Sequence, residues 1–190
     1  MRLFIAINFN DAIVDTLTDL QDELRSCGAT GNYTPRENLH LTLAFIGDYG
    51  NPDEVLDLIR EVPFRPVTIQ YEGLQHYRDL YFARFKSNPG LDSYVRRLRR
   101  ALAEQDIPYD RKKFAPHITL IRKVSFINGM LDDIPDDSGL QEVTADRVSL
   151  MLSERGRNGM IYTELGGIWI GKYIKGFRQK YEEPIRRRYR

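Results

Sequence analysis

The sequence predicts an α+β fold made of two similar halves packed as one unit, and three observations carry that prediction. An apolar strand-like run, a helical stripe and a second strand-like run follow one another twice, and each time the last run carries His-x-Thr-Leu. Two helices open on the same dipeptide, at Asn51-Pro52 and Asn88-Pro89, which sets a polar capping residue before one that needs no backbone N–H. No low-complexity linker divides the chain, and 190 residues suffice to bury one shared core.

Each element has its local reason. Arg2 to Asn8 reads as a buried opening strand with Ile5 and Ile7 at its centre. Asn10 caps a helix whose stripe is Ile13, Leu17, Leu20 and Leu24, with Gly28 just past its end. Gly28 to Asn38, bearing Pro35, is expected to be a loop, and Leu39 to Ile46 a strand closed by Gly47. The second helix has Glu54 at a capping-box position and turns Val55, Ile59 and Val62 inward, until Pro63 and Pro66 stop it. Val67, Ile69 and Tyr71 alternate as a strand, Leu80 to Phe85 form another, and His76 lies in an expected loop between them. The third helix carries Leu91, Tyr94, Val95, Leu98 and Leu102 on one side and Arg96, Arg97, Arg99 and Arg100 on a solvated face. Phe114 to Ile121 is the next strand, and Asp132 to Gly139 a polar loop. Val143 to Ser153 and Met160 to Ile170 form a hairpin about the turn Arg155-Gly156-Arg157-Asn158-Gly159, for seven strands and three helices in all.

Composition narrows the function classes. The first apolar run is too short for a signal-peptide core, and no segment approaches the ~20 apolar residues of a membrane span, so no membrane partner is expected. A lone cysteine, Cys27, precludes an internal disulfide framework and a multi-cysteine zinc site, which suits a reducing cytoplasm. Net charge is +1, but residues 171–190 hold eight Lys or Arg against two Glu, leaving the first 170 residues at −5. The expected division is therefore one domain over 1–170 and a basic extension over 171–190, which either contacts phosphates or is merely solvated. Tyr173, Phe177 and Tyr181 stand at helical spacing within it.

The chemistry concentrates in "LHLTL" at 39–43 and "PHITL" at 116–120, which hold two of the three histidines. On a strand, side chains alternate faces, so His40 and Thr42 point one way and Leu41 and Leu43 the other. His117 and Thr119 repeat this, with Ile118 and Leu120 behind them. If the halves are related by pseudo-symmetry, two imidazoles and two hydroxyls converge across a cleft. Imidazole titrates near pH ~6.5, so one ring serves as base while the other serves as acid. Threonine hydroxyls hold non-bridging oxygens of an anion. An acid and a base on opposite sides suit in-line displacement at phosphorus, and a strained cyclic phosphodiester is the substrate that asks least of them. No metal or other cofactor is called for.

The residues also resemble a known family. "MRLFIAI" at 1–7, "ENLHLTLAFIGD" at 37–48, "KKFAPHITLIRKV" at 112–124 and "VSLMLSERGRNGMIYTEL" at 148–165 are similar, in that order, to the 2H phosphoesterases of the RNA 2′,3′-cyclic phosphodiesterase (2′-5′ RNA ligase) type. The resemblance implies a bilobal α+β fold, two antiparallel sheets flanking a central cleft with helices outside. It implies hydrolysis of a terminal 2′,3′-cyclic phosphate to a 2′-phosphate, with 2′-5′ ligation of RNA ends as a weak reverse activity. His40 and His117 match the catalytic histidines, and Thr42 and Thr119 the phosphate-binding threonines. By analogy His40 is the acid at O3′ and His117 the base, although pseudo-symmetry makes the roles exchangeable. Phe45 and Arg122, each five residues after a histidine, match positions that flank the terminal base or aid the phosphate. Strict alternation sends both to the wrong face, so this carry-over requires each strand to end or bulge first; otherwise Phe45 belongs to the core.

The implied partner is an RNA with a 2′,3′-cyclic phosphate end, such as a tRNA fragment, bound by a monomer. Arg36, Arg111, Lys112 and Lys113 lie close in sequence to the motifs and are candidates to steer it. Two other readings remain open: a related phosphoesterase for a small cyclic nucleotide or oligoadenylate, and a non-catalytic binder of nucleotides or RNA ends. A metallophosphatase is suggested only by "GDYGN" at 47–51, and no phosphate-binding Gly-Lys-Ser/Thr loop occurs.

Overall fold

The computed structural model describes residues 1–126, 139–157 and 159–170. The basic segment 171–190 and nearly all of the loop expected at 132–139 lie outside the described residues. In chain order the elements are β1 (Arg2–Ile7), α1 (Asp11–Ser26), β2 (Ala29–Tyr33), a 3₁₀ turn (Arg36–Asn38), β3 (Leu41–Asp48) and α2 (Pro52–Glu61). Then follow β4 (Val67–Tyr77), β5 (Leu80–Phe85), α3 (Pro89–Glu104), β6 (His117–Phe126), β7 (Glu142–Ala145), β8 (Arg147–Gly156) and β9 (Gly159–Trp169).

The helices form where the apolar stripes place them. Asn10 accepts from the Ile13 amide, and Asn88 from the Gly90 and Leu91 amides, so both caps are made. The full α3 stripe, Leu91, Tyr94, Val95, Leu98 and Leu102, is buried. In α2 Asn51 makes no side-chain cap, and Glu54 instead accepts from the Tyr49 hydroxyl, so the expected capping box does not form.

Three expectations are corrected by strand pairing. The segment taken as a loop after Gly28 contains β2, a short strand with no apolar alternation that exists because β6 pairs with it. His76 is not in a loop: β4 continues through it to Tyr77 and pairs with β5 around the tight turn Arg78-Asp79. The single strand expected over 143–153 is two, β7 on β4 and β8 on β1, changing partners at Asp146. Among the described residues there are nine strands rather than seven.

All pairings are antiparallel, along the path β7-β4-β5-β6-β3-β1-β8-β9, with β2 on the later part of β6. Because β7 runs into β8 through one residue, the two ends of this path are brought together and the sheet curls. The two groups, β4-β5-β6 and β3-β1-β8-β9, touch through a single backbone bridge, Leu41 to Ile118. The bridge residues are fully buried, as are Leu43 and Leu120, and all four join one core with the stripes of the three helices. The helices therefore lie on the outer side of the sheet, and His40, Thr42, His117 and Thr119 look away from them.

Candidate active site

The bridge between Leu41 and Ile118 sets the geometry of the motifs. In antiparallel pairing the neighbours of a bridged pair also oppose one another, so His40 stands across from Thr119 and Thr42 across from His117. Beyond that pair the two strands share no bridge among the described residues, and the face that carries the four motif side chains is the candidate cleft face. All four motif side chains are partly buried, while the residues alternating with them are wholly buried.

Both motif strands bulge straight after their threonine. In β3, Ala6 pairs with Thr42 and Ile5 with Ala44, leaving Leu43 as the extra residue. In β6, Phe82 pairs with Thr119 and Tyr81 with Ile121, leaving Leu120 as the extra residue. One added residue reverses the alternation. Leu43 and Ala44 both face the core, and so do Leu120 and Ile121. Phe45 and Arg122 thereby come round to the cleft face, the condition on which their carry-over depended. Phe45 is 46% exposed and its ring is 5.8 Å from that of Phe4, so it is not a core residue.

A bulge leaves a carbonyl without a ladder partner, and each is met by a helix from elsewhere in the chain. The Leu120 oxygen accepts from Gln21 Nε2 at 2.9 Å and from the Thr34 amide at 2.8 Å. The Leu43 oxygen accepts from Arg99 at 3.2 and 3.0 Å, and the same guanidinium donates to the Lys112 oxygen at 2.6 Å, in the approach to His117. Thus α1, which precedes the first motif, braces the second, and α3, which precedes the second, braces the first. Arg99 was expected on a solvated face; instead it lies half-buried near the rings of Tyr109 and Phe114. Burial lowers its pKa from the usual arginine range. Neither brace has a local sequence signal, because both depend on contacts across the fold.

The imidazoles are held in matching ways. His40 Nδ1 lies 2.7 Å from the Asn38 carbonyl oxygen, and His117 Nδ1 lies 2.8 Å from that of Ala115. A carbonyl only accepts, so each Nδ1 carries a proton and, in the neutral ring, each Nε2 keeps its lone pair. At His40, Nε2 receives the Thr42 hydroxyl at 3.0 Å. Their surroundings differ. His40 packs against Phe4 at 4.9 Å and edge-on to Tyr162 at 5.4 Å, whereas His117 meets the ring of Phe82 at 5.2 Å. Asn38 is buried, and its side chain donates to the Met160 carbonyl at 2.7 Å, tying the β8–β9 hairpin to the turn before His40. Phe4, Asn38, Phe82 and Tyr162 are site neighbours that sequence reasoning missed; tertiary contact alone reveals them.

Burial pushes the His40 pKa down from 6.5 to about 4, and the positive charges of Arg122 and His117 push the same way against the opposing Asn38 hydrogen bond. That coupling places Arg122 and His117 within electrostatic reach of His40. His40 is therefore neutral in the free protein at neutral pH.

Of the other candidates, Arg36 is engaged by Asp15 and Asp11, and Lys112 by Asp110, so neither is a free cation; Arg111 and Lys113 are exposed. His76 packs with Tyr81 and Phe126, away from the motifs. Cys27 is the exposed C-cap residue of α1. Among the described residues no group of three or more His, Cys, Asp or Glu is placed to hold a metal ion.

A curled antiparallel sheet that brings two His-x-Thr strands to one bridge defines a phosphoesterase of the two-histidine kind. The family model described as "LigT like Phosphoesterase" matches residues 7–81 and 86–162, and the chain belongs to that family, whose members are phosphoester-cleaving enzymes. It is 26% identical over 176 residues to the RNA 2′,3′-cyclic phosphodiesterase of Thermotoga maritima, covering 87% of this chain and 93% of that protein. It is likewise 26% identical over 182 residues to the enzyme of that name from Methanothermobacter thermautotrophicus, covering 87% and 96%. A shorter match, 34% identical over 76 residues, covers 39% of this chain and 43% of the Archaeoglobus fulgidus protein of that name. Among solved structures, E. coli LigT in its apo form superposes with a TM-score of 0.70 at 23% identity, covering 87% of this chain and 94% of that one. A protein from Thermus thermophilus gives 0.66 at 25%, covering 87% and 96%. No helix among the described residues is long and apolar enough to cross a membrane.

Proposed function

We propose that the protein hydrolyses RNA 2′,3′-cyclic phosphodiester ends to 2′-phosphomonoesters without a metal, with His40 and His117 moving the protons. The observation that carries this reading is the bridged and bulged pair of motif strands. That pairing turns His40, Thr42, His117, Thr119 and Arg122 to one face of the sheet, and it supports a shared site for them. The names of the Thermotoga and Methanothermobacter relatives, which align over most of both chains, support the same substrate.

In this mechanism the cyclic phosphate sits between the motifs, its non-bridging oxygens held by Thr42, Thr119 and Arg122, and the terminal base stacks on Phe45. His117 Nε2 takes a proton from water as its oxygen attacks phosphorus. The P–O3′ bond breaks on the far side, and protonated His40 gives its proton to O3′. The products are a 2′-phosphomonoester and a free 3′-hydroxyl, and solvent resets both rings. If an RNA 5′-hydroxyl attacks in place of water, the product is a 2′-5′ linkage. His40, with its pKa near 4, is a strong acid once protonated. The negative charge of the bound phosphate opposes its burial and supplies the reason for it to take up a proton. The protein acts as a monomer in the cytoplasm, and residues 171–190 form a basic extension that adds contacts to longer RNA.

The test is turnover of a nucleoside 2′,3′-cyclic phosphate in EDTA. His40→Ala and His117→Ala should each lower kcat by roughly 10²–10⁴-fold with folding retained. Because the assignment and its reverse are kinetically equivalent in pH profiles, a substrate with sulfur at the 3′ bridge separates them. A thiolate leaves without an acid, so it should restore much of the His40→Ala rate and little of the His117→Ala rate. The opposite pattern exchanges the roles, and loss of turnover on chelation refutes the metal-free mechanism.

A further inference from the structure

The bulge at Leu120 does more than turn Arg122 to the cleft face: it aligns it with a strip of lobe surface that the hydrolytic chemistry leaves unused. Pairing carries Arg122 of β6 to Leu80 of β5 on one side and to Asn32 of β2 on the other, and Leu80 pairs in turn with Tyr77 of β4. Paired residues share a sheet face. Asn32, Arg122, Leu80 and Tyr77 therefore lie in one row across four strands, on the face that also carries the Phe82–Thr119 and Arg84–His117 pairs. At ~4.8 Å per strand the row is about 14 Å long, enough for roughly two nucleotides of single-stranded RNA.

Its far end has an aromatic platform. Tyr77 is 59% exposed, and the Arg78 guanidinium lies 5.2 Å from its ring centroid. Arg78 occupies the hairpin turn at φ +56°, and Lys123, next to Arg122, has φ +52°. Among the described residues, none of Arg78, Arg122 and Lys123 makes an ion pair, while Arg36, Arg84, Arg100, Lys112 and Arg147 each face a carboxylate. Arg78 against the exposed ring, with Arg122 along the row and Lys123 next to it in the chain, makes a surface for a polyanion with flat bases.

We infer that the strip from Arg122 to Tyr77 binds the nucleotide upstream of the cyclic phosphate, its base stacked on Tyr77 and its phosphate held by Arg78 and Lys123. The preferred substrate is then a single-stranded oligoribonucleotide end rather than a mononucleotide. This rests on the proposed reading of the cleft and adds the path by which the RNA leaves it.

The experiment compares a tetraribonucleotide ending in 2′,3′-cyclic phosphate with a nucleoside 2′,3′-cyclic phosphate. Wild type should show a KM for the tetranucleotide at least tenfold lower. Tyr77→Ala should raise that KM by about tenfold, the worth of one base–aromatic stack, and leave the mononucleotide KM unchanged. Tyr77→Phe should restore it. Arg78→Gly and Lys123→Gly, which suit the positive φ at both positions, should each lower the slope of log KM against log salt by about 0.7. Binding of a fluorescein-labelled tetranucleotide with a 3′-phosphate, followed by anisotropy, gives a readout independent of turnover. Equal binding by wild type and Tyr77→Ala, or equal KM values for long and short substrates, overturns the strip alone. Failure of wild type to turn over either substrate overturns the proposed activity instead.

Discussion

The environment of His40 makes a quantitative prediction about stability. In the unfolded chain this imidazole titrates near 6.5, and in the native protein at about 4, chiefly because burial against Phe4 and Tyr162 disfavours the charged ring. Above pH 6.5 the ring is neutral in both states and contributes no pH dependence. Between 6.5 and 4 the unfolded chain binds a proton that the native protein refuses, so stability falls as pH falls. Below pH 4 both are protonated and the loss is complete, at about 3 kcal/mol for this span. The perturbation is acidification, with His40→Gln as the reference because it keeps the site polar and removes the titration. Urea unfolding of both proteins at half-unit steps from pH 7 to pH 4 isolates the contribution, since all other groups titrate in each. The difference in unfolding free energy should move by about 3 kcal/mol in favour of the variant. Inorganic phosphate should shrink that movement, because an anion in the cleft raises the His40 pKa. Parallel pH curves, or a His40 resonance titrating near 6.5 in the free protein, would refute the reasoning.

Four further substitutions probe the site and its frame. Gln21→Leu and Arg99→Met each deprive a bulge carbonyl of its brace and should cost about 1–3 kcal/mol in urea unfolding, with Arg99 at the upper end because its donor is charged; changes below about 0.5 kcal/mol would show that the bulges hold themselves. Gly31 has φ +144°, and a β-carbon there lies 2.9 Å from the carbonyl oxygens of Arg122 and Lys123, so Gly31→Ala should cost about 2 kcal/mol and raise amide exchange across 29–33. Unaltered exchange in that strand would count against it. Phe45→Ala should raise KM while costing well under the ~3–5 kcal/mol of a buried phenylalanine, and a loss of that full size would return Phe45 to the core.

How far the sequence could be read depended on the range of the interaction concerned. The stripe of α3 and the Asn10 and Asn88 caps were legible because each is decided within a few residues by helical period and side-chain reach. The repeated His-x-Thr was legible for the same reason, since alternation on a strand needs no partner to be specified. By contrast β2 carries no pattern of its own and forms because β6 offers it an edge. His76, assigned to a loop, is strand because β5 pairs with it.

By itself, then, the sequence determined which four side chains share a face and which residues lie buried behind them, because both follow from local period and apolarity. Only the tertiary structure decided that the two faces meet at Leu41 and Ile118, and that Leu43 and Leu120 bulge to bring Phe45 and Arg122 round. It also decided that α1 and α3 each brace the other half's motif, and that Arg36 is paired while Arg78 and Lys123 make no ion pair among the described residues. These are relations between segments far apart in the chain, set by which backbone groups and charges find partners when the sheet curls, and no local pattern encodes them.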